Sequence, residues 1–158
     1  MANHAGGISI ITFVVALAVS MGYYQFVYLP EANAKPIIPE AVKEPKDTAK
    51  VTIVEGASQP SASRSFDPKE ARAVLGLSNK VVWTSKDTIP HTVTSDTDYK
   101  DPYSGPFNSQ ERPAEEGGAF VMPGKTYEFL FTQEGEYAYH CAPHPQMKGT
   151  VKVVPNFA

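Results

Sequence analysis

The chain has 158 residues, 42% of them hydrophobic, with 14 prolines and a single cysteine. That is about one domain with additional segments, and too much proline for a helical bundle. The formal net charge is −3, with 14 basic and 17 acidic residues that all lie beyond position 30. No basic patch points to nucleic acid, and one thiol excludes an internal disulfide.

The segment from Ile8 to Leu29 carries no charge and is mostly apolar. At the helical rise it extends about 33 Å, enough to cross a bilayer core. Tyr23, Tyr24 and Tyr28 cluster at its far end, where amphipathic rings favour the membrane interface. Residues 1–29 are therefore predicted to be an N-terminal membrane anchor with one transmembrane helix. A cleaved signal peptide is the competing reading, with Ala32-Asn33-Ala34 as a small-residue cleavage site. Against it, the apolar run is long for a signal sequence and residues 1–7 contain no Lys or Arg. Ala18-x-x-x-Gly22 is a spacing that can seat a second helix, though such spacings are common by chance.

Residues 30–49 hold Pro30, Pro36, Pro39 and Pro45 among charges. They read as an extended linker that spans up to about 60 Å; the alternative is an irregular arm packed along the domain. Lys35, Lys43 and Lys46 follow the helix and would favour a cytoplasmic C-terminal side. They are interleaved with Glu31, Glu40, Glu44 and Asp47, so that signal is weak.

Residues 50–158 read as short strands between turns: 50–55, 79–84, 91–95, 119–122, 125–131, 135–141 and 149–154. Alternation is clearest in Tyr127, Phe129, Phe131 and in Tyr137, Tyr139, Cys141, each set on one face of its strand. Pro123-Gly124 and Glu134-Gly135 mark turns. A helical turn is expected near Asp67-Pro68-Lys69-Glu70. The pattern predicts an all-β sandwich or barrel.

The chemistry concentrates in Cys141-Ala142-Pro143-His144-Pro145-Gln146-Met147 and in His91, 50 residues upstream. Two imidazoles, one thiolate and one weak thioether are the donor set of a mononuclear redox copper. Cys141 shares a strand face with Tyr137 and Tyr139, so its sulfur is expected to point inward; a buried free cysteine is otherwise a small core residue. His144 stands between two prolines that stiffen its loop, and is otherwise an exposed loop histidine. Met147 is an axial ligand or a core methionine. His91 is a ligand or a strand-end surface histidine. His140 has the opposite strand parity to Cys141 and is not counted as a ligand; it lines an electron exit route or is a solvated residue. Zinc rarely takes methionine, and one cysteine cannot bridge a binuclear copper centre.

The stretch from Tyr139 to Gly149 resembles the ligand loop of the cupredoxins, in their plastocyanin, amicyanin and halocyanin branch. Phe66-x-Pro68, Val82-Trp83-Thr84-Ser85-Lys86-Asp87 and His91-Thr92-Val93-Thr94-Ser95 resemble the same family's approach to its first histidine. The resemblance covers roughly residues 50–155. It implies a Greek-key β-sandwich with one type 1 copper ion at one end, held by His91, Cys141, His144 and Met147. Thr92 stands where relatives often carry Asn, and the resemblance implies that its backbone N–H bonds the cysteine sulfur. The segment 96–117 is long and acidic, and either steers a cationic partner or is a solvated loop.

The resulting expectation is a membrane-tethered protein that carries single electrons between a redox-protein donor and acceptor, such as membrane complexes of respiratory or photosynthetic type, with no catalysis of its own. Its copper domain is placed on the extracytoplasmic side, because a lone thiolate with copper is better tolerated there. Two alternatives remain: an accessory subunit of a membrane oxidase or monooxygenase, and inner-sphere redox chemistry on a small inorganic molecule.

Overall fold

A computed structural model describes residues 5–60, 62, 64–113 and 119–156, and divides the chain into units of residues 1–36 and 37–158. His4, and Glu115 and Glu116 of the acidic segment, lie outside the described residues.

In the first unit α1 (Ala5–Tyr23) runs into a π-helical turn, Tyr24–Tyr28, and then α2 (Leu29–Ala32). The wide turn has a local cause. Pro30 offers no N–H and its ring crowds the carbonyl one turn back, so the ladder slips to longer spacing just before it. Residues 10–32 form a helix long and apolar enough to cross a membrane. Its large side chains are bare, Phe13 at 65% and Phe26 at 80% exposure; that much apolar surface calls for lipid or a partner helix.

The second unit is a two-sheet sandwich. Its strands are β1 (Thr48–Ile53), β2 (Phe66–Asp67), β3 (Glu70–Val74), β4 (Lys80–Ser85), β5 (Thr94–Ser95), β6 (Lys100–Asp101), β7 (Gly105–Pro106), β8 (Thr126–Leu130), β9 (Gly135–Cys141) and β10 (His144–Val154). One sheet has the order β2-β1-β4-β8 and the other β3-β10-β9-β5, while β6 and β7 form a small hairpin. The expected all-β Greek-key cupredoxin sandwich is therefore the observed fold, preceded by the apolar helix.

Period-2 alternation builds the core. Val81, Trp83 and Ser85 of β4, Tyr127 and Phe129 of β8, and Tyr137, Tyr139 and Cys141 of β9 all face inward and are buried. Trp83 stacks edge-on against Tyr139 at 5.5 Å and lies 5.6 Å from Phe107, which meets Phe131 at 5.1 Å. Phe107 comes from the irregular acidic segment, so that segment contributes to the core. Gly149 is obligatory for another reason: a Cβ there would stand 2.5 Å from the Tyr139 hydroxyl. The Tyr139 side chain thus lies close over its cross-strand partner, Gly149.

Two expectations need correction. The helical turn near Asp67–Glu70 is absent; residues 66–67 and 70–74 are strands. Ala71 and Ala73 are buried, and β3 pairs in parallel with Thr150–Val154 of β10. Tertiary pairing overrides the local preference. Residues 40–49, read as extended linker, hydrogen-bond into the sandwich. Asn79 Nδ2 donates to the carbonyls of Val42 and Phe131, both at 2.8 Å, and the Asp47 N–H donates to Leu77 O at 2.9 Å. A short helix, α3 (Glu40–Lys43), sits in this stretch. The packed-arm alternative describes these residues better.

Candidate metal centre

The ligand loop is a break in strand pairing. Cys141 pairs with His144 across β9 and β10, whereas the neighbouring His140 pairs with Lys148. Residues 145–147 are therefore bulged out of register, and the bulge carries Met147 into the core, where it is fully buried. Pro143 and Pro145 remove two N–H donors from this hairpin end, which leaves the loop free of ladder bonds that would flatten it.

The second segment approaches through two backbone bonds. His91 N donates to Val121 O at 3.2 Å, and Val121 N donates to His91 O at 2.8 Å. The predicted strand at 119–122 is reduced to this single bridge. It places His91 beside the end of β9, fully buried.

Three donors converge. His91 Nδ1 lies 3.7 Å and His144 Nδ1 3.6 Å from Cys141 Sγ, and all three ligand atoms lie within 4.8 Å of one another. Two donors on one ion, at bonds of about 2.0–2.3 Å, stand about 3.5–3.7 Å apart, so the donor set fits a single metal. Cys141 and His91 are buried, while His144 is half-buried. The sulfur also accepts the Thr92 N–H at 3.4 Å, the bond that the resemblance implied.

Asp87 sets the tautomer of His91. Its Oδ2 lies 2.8 Å from His91 Nε2, so Nε2 carries the proton and Nδ1 turns its lone pair to the sulfur side. The carboxylate is itself held by the N–H groups of Gly56, Ala57 and Thr88. Burial pushes its pKa up, but the bonds from His91, Thr88 and Gly56 outweigh burial and hold it below the usual carboxylate value. This role was not legible in the sequence; the only cue was an acidic residue four positions before a histidine. Gln146 adds a tie from the ligand loop, donating to Ser58 O at 2.8 Å. His140 points away from the donors, as strand parity requires, and pairs through Nδ1 with Asp96.

A soft thiolate between two imidazoles, seated at the end of an aromatic-cored sandwich, defines the single-copper class of redox proteins. The comparisons place the chain more closely. The family model for copper-binding proteins of the plastocyanin/azurin family matches residues 52–154, and the chain belongs to that family. It is 35% identical over 115 residues to amicyanin-alpha of Methylorubrum extorquens, covering 72% of this chain and 79% of that one. It is 28% identical over 92 residues to amicyanin of Paracoccus denitrificans, 58% of this chain and 60% of that one. Among solved structures, a purple cupredoxin from Nitrosopumilus maritimus superposes with a TM-score of 0.51 at 26% identity, covering 67% of this chain and 99% of that one. The cofactor is one copper ion, and the donor set has the chemistry of a type 1 site.

Proposed function

We propose that this protein is a membrane-tethered single-electron carrier whose copper would be held by His91, Cys141, His144 and Met147. The observation that carries the reading is the convergence of the two Nδ1 atoms on Cys141 Sγ, with one ring buried and the other half-buried. When bound, copper supplies a one-electron Cu(II)/Cu(I) couple. The chain supplies the rest. Asp87 and the His91–Val121 bridge lock one imidazole, and the paired prolines and the Gln146–Ser58 bond restrain the other. A ligand set that barely moves suits rapid electron exchange, because little reorganisation accompanies the change of charge.

The half-buried His144 edge is the port for the electron. Apolar residues surround this end: Pro143 and Pro145 are exposed, as are Ile89, Phe120 and Met122 in the segments bonded at His91. Such a collar suits a transient partner that must exclude water over the ring and then leave. Donor and acceptor are redox proteins, one of them within a membrane respiratory complex. The apolar helix at residues 10–32 supports tethering, and copper with a lone thiolate favours the extracytoplasmic side.

Loading the full-length chain with Cu(II) is expected to produce an intense visible thiolate-to-copper absorption and a small copper hyperfine splitting. Cys141→Ser should abolish the colour while leaving the β-sheet circular dichroism in place. A colourless wild-type complex would overturn the reading. Azide that leaves the spectrum untouched supports outer-sphere transfer; a shifted spectrum would reveal an open position and favour inner-sphere chemistry instead.

A further inference from the structure

Thr92 does more around the sulfur than its backbone accounts for. Its hydroxyl oxygen accepts the Ala142 N–H at 2.8 Å and the Thr94 hydroxyl at 3.4 Å. A hydroxyl has two lone pairs and one proton. Both lone pairs are engaged, and Thr92 is fully buried, so water does not take the proton. Cys141 Sγ lies 3.9 Å from that oxygen. We infer that the Thr92 hydroxyl is a second hydrogen-bond donor to the Cys141 thiolate, acting with the backbone N–H of the same residue to set the reduction potential. This rests on the copper reading proposed above.

The neighbouring loop leaves the task to Thr92. The Ala142 N–H is spent on Thr92 Oγ1, and Pro143 has no N–H to give. One other acceptor competes for the hydroxyl proton. If Thr94 gives its own proton to Asn108 Oδ1, at 3.3 Å, then Thr94 Oγ1 becomes available to Thr92. That acceptor is neutral, whereas the thiolate is charged, and hydrogen bonds to ionised acceptors are roughly twice as strong. The proton goes to sulfur.

The consequence for the potential follows from charge. On reduction the metal loses one positive charge and draws less density from the sulfur, so the thiolate becomes a better acceptor. Donors on the sulfur therefore favour the reduced form and raise the potential. No proton is transferred: one electron arrives from the partner, and the hydroxyl keeps its hydrogen. Thr92 is a positioning residue here, since it acts through Cys141 and also ties the Cys141–Ala142 link to the His91 segment.

The test uses the copper-loaded full-length chain. Thr92→Val keeps the shape and the backbone donor but loses the hydroxyl. Its Cu(I)/Cu(II) equilibrium constant is expected to fall about tenfold, which for one electron is a potential about 59 mV lower. Thr92→Ser should restore it. Pulsed electron paramagnetic resonance of the Cu(II) wild type, folded and loaded in D2O, should reveal two exchangeable deuterons close to the sulfur, and Thr92→Val only one. Wild-type potential in Thr92→Val, or a single deuteron in the wild type, would overturn the inference while the blue site stands. The same holds if Thr94→Val, and not Thr92→Val, shifts the potential. The deuteron count decides the matter even if Thr92→Val does not fold. A wild type lacking the thiolate-to-copper band would instead remove the copper reading itself, a different failure with a different signature.

Discussion

Among the described residues the sandwich buries one carboxylate at each end, Asp101 and Asp87, and the two are put to different uses. Asp101, 2% exposed, accepts the N–H groups of Tyr103, Ser104 and Thr132 and the hydroxyls of Thr132 and Tyr99. Tyr99 in turn lies against Tyr137, near the start of β9. Asp87, 5% exposed, also gathers three backbone N–H groups, but its fourth partner is the imidazole of His91, beside the far end of the same strand. Both ends solve the same problem, that of satisfying irregular backbone away from water. At the Asp87 end one bond of the network reaches an imidazole, whose other nitrogen, Nδ1, faces the Cys141 sulfur; the partners of Asp101 are backbone N–H groups and hydroxyls. The site is thus a loop-closing network with one partner exchanged for a candidate metal donor.

Substituting each acid in turn separates the two roles. Asp101→Ala strands three backbone donors at once, and should cost about 3 kcal/mol or more of stability, read as a drop in the denaturant midpoint. The folded fraction should keep its copper spectrum; a changed spectrum would show that the two ends are not independent. Asp87→Asn should act the other way, with a smaller loss of stability but a fall of about 10–100-fold in copper affinity, measured by competition with a chelator. Equal affinity in Asp87→Asn and wild type would reduce Asp87 to a loop anchor. With Met147 as the proposed thioether ligand, Met147→Gln should keep the colour and lower the reduction potential, because the weak fourth donor tunes it; an unchanged potential would take Met147 out of the proposed ligand set.

A separate effect, confined to alkali, is expected from the buried tyrosines. Burial raises the pKa values of Tyr99, Tyr127, Tyr137 and Tyr139 above the ordinary value of 10.0. Below pH 10 these hydroxyls are protonated in both folded and unfolded chains and stability is insensitive to them. Above pH 10 the unfolded chain loses protons that the folded chain retains, so stability falls as pH rises. Denaturant midpoints across pH 9–11, alongside tyrosinate absorption, measure this. A midpoint that does not decline above pH 10 would contradict the burial of these rings.

The sandwich was legible because period-2 alternation survives in the strands with mixed faces. Tyr127, Phe129, Tyr137, Tyr139 and Cys141 face where their parity placed them, and the same parity turned His140 to the opposite side. The strand at 70–74 was not legible. Its Glu-Ala-Arg-Ala run is locally compatible with helix, and only the parallel partner on β10 makes it a strand. The packing of residues 40–49 was hidden for a related reason. Proline and charge describe how a free chain behaves, and say nothing of Asn79, which reaches Val42 across 37 positions.

For the site, sequence by itself determined the donor types and their spacing, because a seven-residue loop can be read as a local unit. It also carried the exclusions that follow from one cysteine. Tertiary structure alone decided which nitrogen of His91 faces the sulfur, since the tautomer depends on Asp87 and on the N–H groups that hold Asp87 in place. It decided too that Thr92, whose N–H the resemblance already directed to the sulfur, brings its hydroxyl to Cys141 as well, 49 positions away. Donor identity is a property of the residue, whereas lone-pair direction and hydrogen-bond count are properties of the neighbours that folding supplies.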